Sequence, residues 1–161
     1  MTSPDPVRKR LKQTIPVLSV SPAAEDHFQL QEILSNPARE LYPDVVFSLT
    51  ARRTLAAAAS ALRGNRVSIV MCEYDLLPGS WMELLDVADR LPAPLPVIVT
   101  SRTADERMWA EVLNMGGYDV LLKPFRSEEV IRTLTSAWSL WQHRFQCQAA
   151  ERSEIAGGNA A

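Results

Sequence analysis

The sequence predicts an α/β protein in which five parallel strands alternate with five helices and form a doubly wound sheet. Short apolar runs rich in β-branched residues alternate along the chain with longer segments that have the apolar spacing of a helix. The runs at 69–71 and 97–99 are continuously apolar, as is typical of strands that helices cover on both faces. We expect the strands at 16–20, 44–49, 67–72, 96–100 and 118–122, and the helices at 24–34, 54–62, 81–91, 105–115 and 127–147.

Local signals mark these elements in order along the chain. The first two strands contain β-branched residues, and the helix between them has one apolar face. The second helix is rich in alanine and ends at Gly64, and a Pro-Gly turn at 78–79 separates the third strand from its helix. A proline-rich connection precedes the fourth strand, glycines at 116–117 close the fourth helix, and a turn at Pro124 leads into the last helix.

The chain of 161 residues has the length of one domain with short extensions. We expect the folded domain over residues 15–140, followed by an extension of the last helix over 141–148. Residues 1–14 are polar and contain prolines, so they are expected to form a flexible leader. Residues 149–161 are rich in Ala, Glu, Ser, Gly and Asn, which indicates a disordered tail.

Composition and charge exclude several classes of function. The net charge of -2 gives no sign of a basic surface, so no nucleic-acid partner is expected. No apolar stretch approaches the roughly 20 residues that a membrane-spanning helix needs, and no membrane association is expected. The N-terminus lacks a secretory signal. Cys72 and Cys147 are far apart and lack zinc-like spacing, so we expect reduced thiols in a cytoplasmic protein.

Residues with reactive or charged side chains follow the third, fourth and fifth strands. Glu73 and Asp75 come directly after the apolar run of the third strand. Thr100 ends the fourth strand, and Lys123 follows the fifth. Open α/β sheets place their sites in the crevice beyond the carboxyl ends of the strands. A functional site is therefore expected where these strands end.

The order of the βα units, the Thr-Ser pair at 100–101 and the Lys-Pro-Phe turn at 123–125 resemble the receiver domains of bacterial two-component response regulators. The resemblance covers about residues 15–140 and implies a flavodoxin-like receiver fold with an extended C-terminal helix. In active receivers, an acidic pair after the first strand helps to hold Mg²⁺, and an Asp at the end of the third strand accepts the phosphoryl group. A Thr or Ser and a Lys contact the phosphoryl oxygens, and the resemblance places Thr100 and Lys123 in these two roles.

The other positions of the receiver site depart from this pattern. Ser21 and Pro22 stand where the resemblance puts the acidic pair, and neither is a carboxylate. Glu73 stands at the position of the phosphoacceptor. We therefore expect no phosphorelay and no enzymatic activity, and Mg²⁺ is not expected as a cofactor. Glu25 and Asp26, a few residues further on, are interpreted as charges that the dipole at the start of the first helix stabilises.

The presence of Glu73 leaves two interpretations open. A carboxylate one methylene longer than Asp reaches toward the positions of phosphoryl oxygens, and with Lys123 it would hold an arrangement that resembles the activated state. Alternatively, Glu73 and Lys123 form a residual ion pair in a retired site. Receivers also carry an aromatic residue on the fifth strand that couples to the Thr. Val120 and Leu121 occupy that part of the strand, so this coupling is expected to be absent.

Aromatic residues of the last two helices are candidates for an interface. Trp109 lies on the fourth helix, offset from the residues expected to face the core. Trp138, Trp141 and Phe145 lie near or beyond the expected end of the domain, and aromatic side chains dominate many interfaces. Packing within the domain is the alternative for these side chains. In receivers, the face formed by the fourth helix, fifth strand and fifth helix is a common site of dimerisation and output. A protein partner or self-association through this face is therefore expected.

Three functional hypotheses follow from the residues and the resemblance. The leading one is a stand-alone, atypical receiver that acts by protein–protein interaction in two-component-type signal transduction. The second is a working phosphorelay receiver with Asp75 as acceptor and a non-standard Mg²⁺ site, which requires two extra residues on the third strand. The third is a flavodoxin-like module that binds a small molecule. It requires a phosphate-binding loop after the first strand, and residues 21–24 are poorly suited to that role.

Overall fold

The computed structural model describes residues 12–36, 44–64 and 66–158. In these ranges the chain forms one sheet of five parallel strands, covered by five helices. The strands are β1 (Gln13–Val20), β2 (Val45–Arg52), β3 (Ile69–Glu73), β4 (Val97–Ser101) and β5 (Asp119–Leu122), and the helices are α1 (Ala24–Ser35), α2 (Leu55–Gly64), α3 (Trp81–Asp89), α4 (Glu106–Asn114) and α5 (Ser127–Gly157). No helix within these ranges is long and apolar enough to cross a membrane.

The strand order β2-β1-β3-β4-β5 confirms the predicted doubly wound sheet. β1 pairs with β2 on one side and with β3 on the other, so the direction of winding changes beside β1. The register puts Glu73 of β3 next to Thr100 of β4, and Thr100 next to Leu121 of β5. The carboxyl ends of these strands therefore form the rim of one crevice.

Successive strand residues pack into two different apolar layers. On one face of the sheet, α2, α3 and α4 cover a cluster that includes Leu18 and Val99. On the other face, α1 and α5 cover a cluster that includes Val17 and Ile98. Neighbours in a strand point to opposite faces, so burial on both faces requires the continuous apolar runs seen in the sequence.

The folded part extends beyond its predicted bounds at both ends. β1 begins at Gln13, inside the predicted leader, because the parallel pairing with β2 extends to this residue. α5 continues to Gly157, although a disordered tail was predicted at 149–161. The segment from 149 to Gly157 is rich in Ala and Glu, and it lengthens an existing helix without the cost of a new nucleus. Most of the predicted leader and the last three residues lie outside the described ranges.

Candidate functional site

Three charged side chains meet in the crevice at the carboxyl end of the sheet. Glu73 is the last residue of β3, and Lys123 follows β5 directly. Asp26 lies in the first turn of α1, the helix that begins shortly after β1. The βα connections therefore bring together residues that are distant in sequence, at the point where the direction of winding changes.

Lys123 binds both carboxylates. Its Nζ atom donates to Asp26 Oδ2 at 2.7 Å and also forms an ion pair with Glu73 Oε2. The side chains of Lys123, Asp26 and Glu73 are 5%, 4% and 10% exposed, so water screens their charges only weakly. We call these three residues the charged triad. With one ammonium and two carboxylates, the triad carries an excess of formal negative charge.

Ser21 holds the carboxylate of Asp26 in place. Ser21 Oγ donates a hydrogen bond to Asp26 Oδ2 at 2.6 Å and accepts one from the backbone N–H of Ala23 at 3.2 Å. The backbone carbonyl of Ser21 lies 3.0 Å from His27 Nε2. Because a carbonyl oxygen only accepts, that ring nitrogen carries the proton. Ser21, which was predicted at the position of an acidic residue of the receiver pattern, therefore contributes a hydrogen bond to the triad.

Asp26 lies in the first turn of α1, as its interpretation as a charge stabilised by the helix dipole requires, but it is also buried, which was not predicted. Asp26 is 3% exposed, whereas its neighbour Glu25 is exposed. The buried residues of α1 are Asp26, Leu30 and Leu34, and their spacing of four residues puts them on one face of the helix. That spacing was the available signal, because it places an acidic residue at the head of an apolar helix stripe.

Glu73 and Asp75, the two acceptor candidates, lie in different surroundings. Glu73 is buried in the triad, and Asp75 is exposed in the turn that follows β3. The backbone N–H of Asp75 donates to Glu73 Oε1 at 3.3 Å, so both oxygens of Glu73 have partners. Tyr74, between them, donates its N–H to the carbonyl of Thr100 at 2.9 Å and its hydroxyl proton to Glu111 at 3.2 Å. The carboxylate that contacts Lys123 is thus that of Glu73.

Two neighbours of Glu73 have raised pKa values. Burial, and secondly the negative charge of Glu73, raises the pKa of the Cys72 thiol from 9.0 to about 12. Partial burial, the hydrogen bond to Glu111 and the nearby carboxylates raise the pKa of Tyr74. Both side chains therefore stay protonated at neutral pH, and neither supplies an anionic nucleophile to the crevice.

Thr100 is buried next to Glu73, but β5 offers it no aromatic partner in register. The residue that pairs with Thr100 on β5 is Leu121, which is 1% exposed and lies in the core under α1 and α5. Leucine has no hydroxyl group and does not rotate between a buried and an exposed position as a surface aromatic does. Val120, the other residue predicted to occupy this part of the strand, is also buried, and the absence of the coupling stays a prediction.

The donors in this crevice do not suit Mg²⁺, the ion that the receiver pattern implies. Mg²⁺ requires oxygen ligands in near-octahedral geometry, and the carboxylates of Asp26 and Glu73 are both paired with Lys123. The carbonyl oxygen of the exposed Pro22 accepts a hydrogen bond from Arg53 at 2.7 Å. Throughout the described part of the chain, no three His, Cys, Asp or Glu side chains group so that they could hold a metal ion.

The four aromatic interface candidates differ in exposure. Trp109 and Phe145 are each 50% exposed, and Trp141 is partly buried. Trp138 is 9% exposed and packs in the core, contrary to its prediction as an interface residue, because it lies one helical turn after the buried Leu134. The rings of Trp138, Trp141 and Phe145 stack in succession, with centroids 5.2 Å apart in both pairs.

Solved structures with a similar fold are receiver domains. The signal receiver domain of an HD domain-containing protein from Pseudomonas fluorescens is 21% identical with a TM-score of 0.68, and the match covers 81% of this chain and 99% of that one. A chemotaxis response regulator of Vibrio cholerae is 13% identical with a TM-score of 0.65, and the match covers 78% of this chain and 99% of that one. No protein-family model matches the chain.

The sequence is also similar to one curated protein. The two-component response regulator-like APRR1 of Arabidopsis thaliana is 26% identical over 119 residues, which are 71% of this chain. The chain spans 19% of the length of that relative. Together with the strand order and the position of the crevice, these likenesses establish that the chain has the flavodoxin-like fold of response-regulator receiver domains.

Proposed function

We propose that the chain is a receiver-like signalling domain that works through protein–protein contacts and does not accept a phosphoryl group. The likeness to receiver domains and to a response regulator-like protein supports the signalling class. The observation that carries the proposal is the charged triad, in which Lys123 is buried between Asp26 and Glu73. The lysine that would neutralise a phosphoryl group is thus already neutralised by two carboxylates.

Electrostatics oppose phosphorylation in this crevice. A phosphoryl group brings a charge of about -1.5 to -2 near neutral pH, and catalysis of its transfer depends on cations that neutralise it. Lys123 would have to leave two buried carboxylates to contact such a group. The side chains that remain, Ser21 and Thr100, are neutral hydroxyls. In the crevice, the lysine at the position of the phosphate contact is therefore already paired.

The face formed by α4, β5 and α5 is our proposal for the contact with a protein partner or with a second copy. Trp109 of α4 and Leu122 of β5 are 50% and 47% exposed, and with Glu129 of α5 they line a shallow groove of about 380 Å³. The indole N–H of Trp109 donates to Asp119 Oδ1 at 3.2 Å, which fixes the ring in an exposed position. A rigid, half-exposed aromatic beside an apolar neighbour is typical of an interface anchor.

Incubation with acetyl phosphate and Mg²⁺, followed by intact-protein mass spectrometry at neutral pH, tests this proposal. We expect no mass increase for the parent chain, while a phosphorylation-competent receiver treated in parallel gains one phosphoryl group. Asp75→Asn is the matched variant, because Asp75 is the exposed carboxylate beside Glu73. A base-labile adduct that forms on the parent and disappears in Asp75→Asn would overturn the proposal in favour of a working phosphorelay receiver.

A further inference from the structure

The second half of α5 is not covered by the domain. From position 142 to position 157, no side chain of the helix is buried. Phe145 is 50% exposed and Ile155 is 77% exposed. The rings of Trp141 and Phe145 are stacked with centroids 5.2 Å apart, so the aromatic surface continues from the domain onto the uncovered part of the helix. This part of α5 therefore has an exposed apolar side chain near each of its ends, Phe145 and Ile155.

One side of α5 has the spacing of a coiled-coil seam. Its positions alternate by three and four residues and comprise Trp141, Phe145, Gln148, Arg152 and Ile155, which continue from the buried Trp138. Side chains with this spacing form a stripe that interlocks with a matching helix. The stripe is not uniformly apolar, because it contains Gln148 and Arg152. A helix that covers it must therefore supply partners for a polar and a positively charged side chain.

We propose that the helix that covers this seam is α5 of a second copy of the chain, in antiparallel orientation. Arg144 and Glu151 are exposed, flank the seam on the same side and are seven residues apart. When Phe145 of one copy lies opposite Gln148 of the other, Arg144 of each copy comes beside Glu151 of the other. The pairing thus forms two Arg–Glu ion pairs, which the two-fold axis relates.

The same alignment sets the remaining seam residues beside the second copy. Arg152 of one copy comes beside Trp141 of the other. Ile155 reaches the end of the seam nearest the other copy's domain. There Ala93 and Pro94 line a small cleft of about 70 Å³ together with Trp141, Arg144, Phe145 and Gln148 of α5.

A parallel pair of helices does not fit these residues. In register, it places Arg152 opposite Arg152 and Gln148 opposite Gln148 within the seam. It also brings Arg144 beside Ala149, which carries no charge. Like charges in the seam and unpaired charges at its edge disfavour this arrangement, so charge complementarity selects the antiparallel one.

This inference takes from the proposed function only that the domain acts through protein contacts. It concerns a surface separate from the groove between α4, β5 and α5, and it does not depend on the charged triad. A phosphoryl adduct would overturn the proposed function and leave the helix pairing untouched. If exchanging the charges of Arg144 and Glu151 left self-association unchanged, the pairing would be overturned and the proposed function would stand.

Sedimentation velocity over a range of concentrations tests the pairing. We expect the full chain to form a dimer, and Arg144→Glu or Glu151→Arg alone to weaken it about tenfold, because two attractive pairs become repulsive. An equimolar mixture of the two variants should restore the affinity of the parent, since both pairs are again of opposite sign. Circular dichroism checks that both variants fold. A monomeric parent, or a mixture no tighter than each variant alone, would overturn the proposal.

The orientation is tested by spin labels at position 157, in the variant Gly157→Cys with Cys147→Ser. Cys72 is buried and remains unlabelled. In the antiparallel pair, the two labelled positions are separated by about 30 Å along the helix axes, at 1.5 Å per residue. In a parallel pair, the separation is close to the distance between the axes, about 10 Å. A distance distribution centred near the shorter value would refute the antiparallel orientation.

Discussion

Lys123→Met removes the ammonium group of the charged triad and keeps most of the apolar length of the side chain. It leaves the carboxylates of Asp26 and Glu73 in a crevice where they are 4% and 10% exposed. Removing one partner of a buried ion pair costs about 3–5 kcal/mol, because the remaining charge stays buried without compensation. Two carboxylates are left in this case, so we expect a loss within or above that range. This is a large share of the roughly 5–15 kcal/mol by which domains are stable.

Thermal unfolding followed by circular dichroism measures this loss. For a chain of 161 residues, each kcal/mol lowers the Tm by about 2–4 °C, so we expect Lys123→Met to lower it by about 6–20 °C. The triple variant that adds Asp26→Asn and Glu73→Gln removes the uncompensated charges and should recover most of the loss.

An exposed ion pair provides the control. Arg90 lies 3.0 Å from Asp86, and their side chains are 78% and 58% exposed. Arg90→Met should therefore cost no more than about 0.5 kcal/mol. If Lys123→Met unfolds within about 2 °C of the parent chain, less than the shift for 1 kcal/mol, the triad is hydrated and the reasoning is refuted.

Further outcomes follow from the burial of individual side chains. Asp26→Asn should destabilise the fold by at least about 1 kcal/mol more than Glu25→Gln. Both variants lose a helix-dipole interaction, but only Asp26→Asn loses a buried ion pair. Equal losses in urea unfolding would contradict this expectation. Iodoacetamide should modify Cys147 and spare Cys72 in the folded protein, as peptide mass spectrometry can show. The raised pKa of Cys72 favours the folded state below pH 9.0, and this contribution is lost between pH 9.0 and about 12. In that interval the free energy of unfolding should fall less steeply with pH for Cys72→Ala than for the parent. The two slopes should differ by up to roughly 1 kcal/mol per pH unit.

The fold and one side of the site were predictable because they depend on local patterns. Short apolar runs and helical spacing located all ten described elements, and parallel strand ends necessarily share an edge of the sheet. Glu73 and Lys123 therefore came together as predicted from their positions after β3 and β5. Asp26 was missed because its contact with Lys123 spans 97 residues and depends on how α1 is rotated against the sheet.

The errors on the last helix have a different physical origin. Composition alone indicated disorder after position 148, but residues that continue an existing helix need only propagate it. Trp138 was assigned to an interface because it lies near the expected domain end. Its burial depends on the length of the sheet face beneath α5, which the helical period does not reveal.

The claim that the crevice neither binds Mg²⁺ nor accepts a phosphoryl group is tested most directly by NMR. Proton–nitrogen correlation spectra of the full chain would be recorded before and after addition of Mg²⁺ and beryllofluoride, a phosphoryl mimic. We expect the amide resonances of Glu73, Asp75, Thr100 and Lys123 to stay unchanged, because Lys123 remains bound to both carboxylates. Saturable shifts of these resonances, lost in Asp75→Asn, would contradict the account.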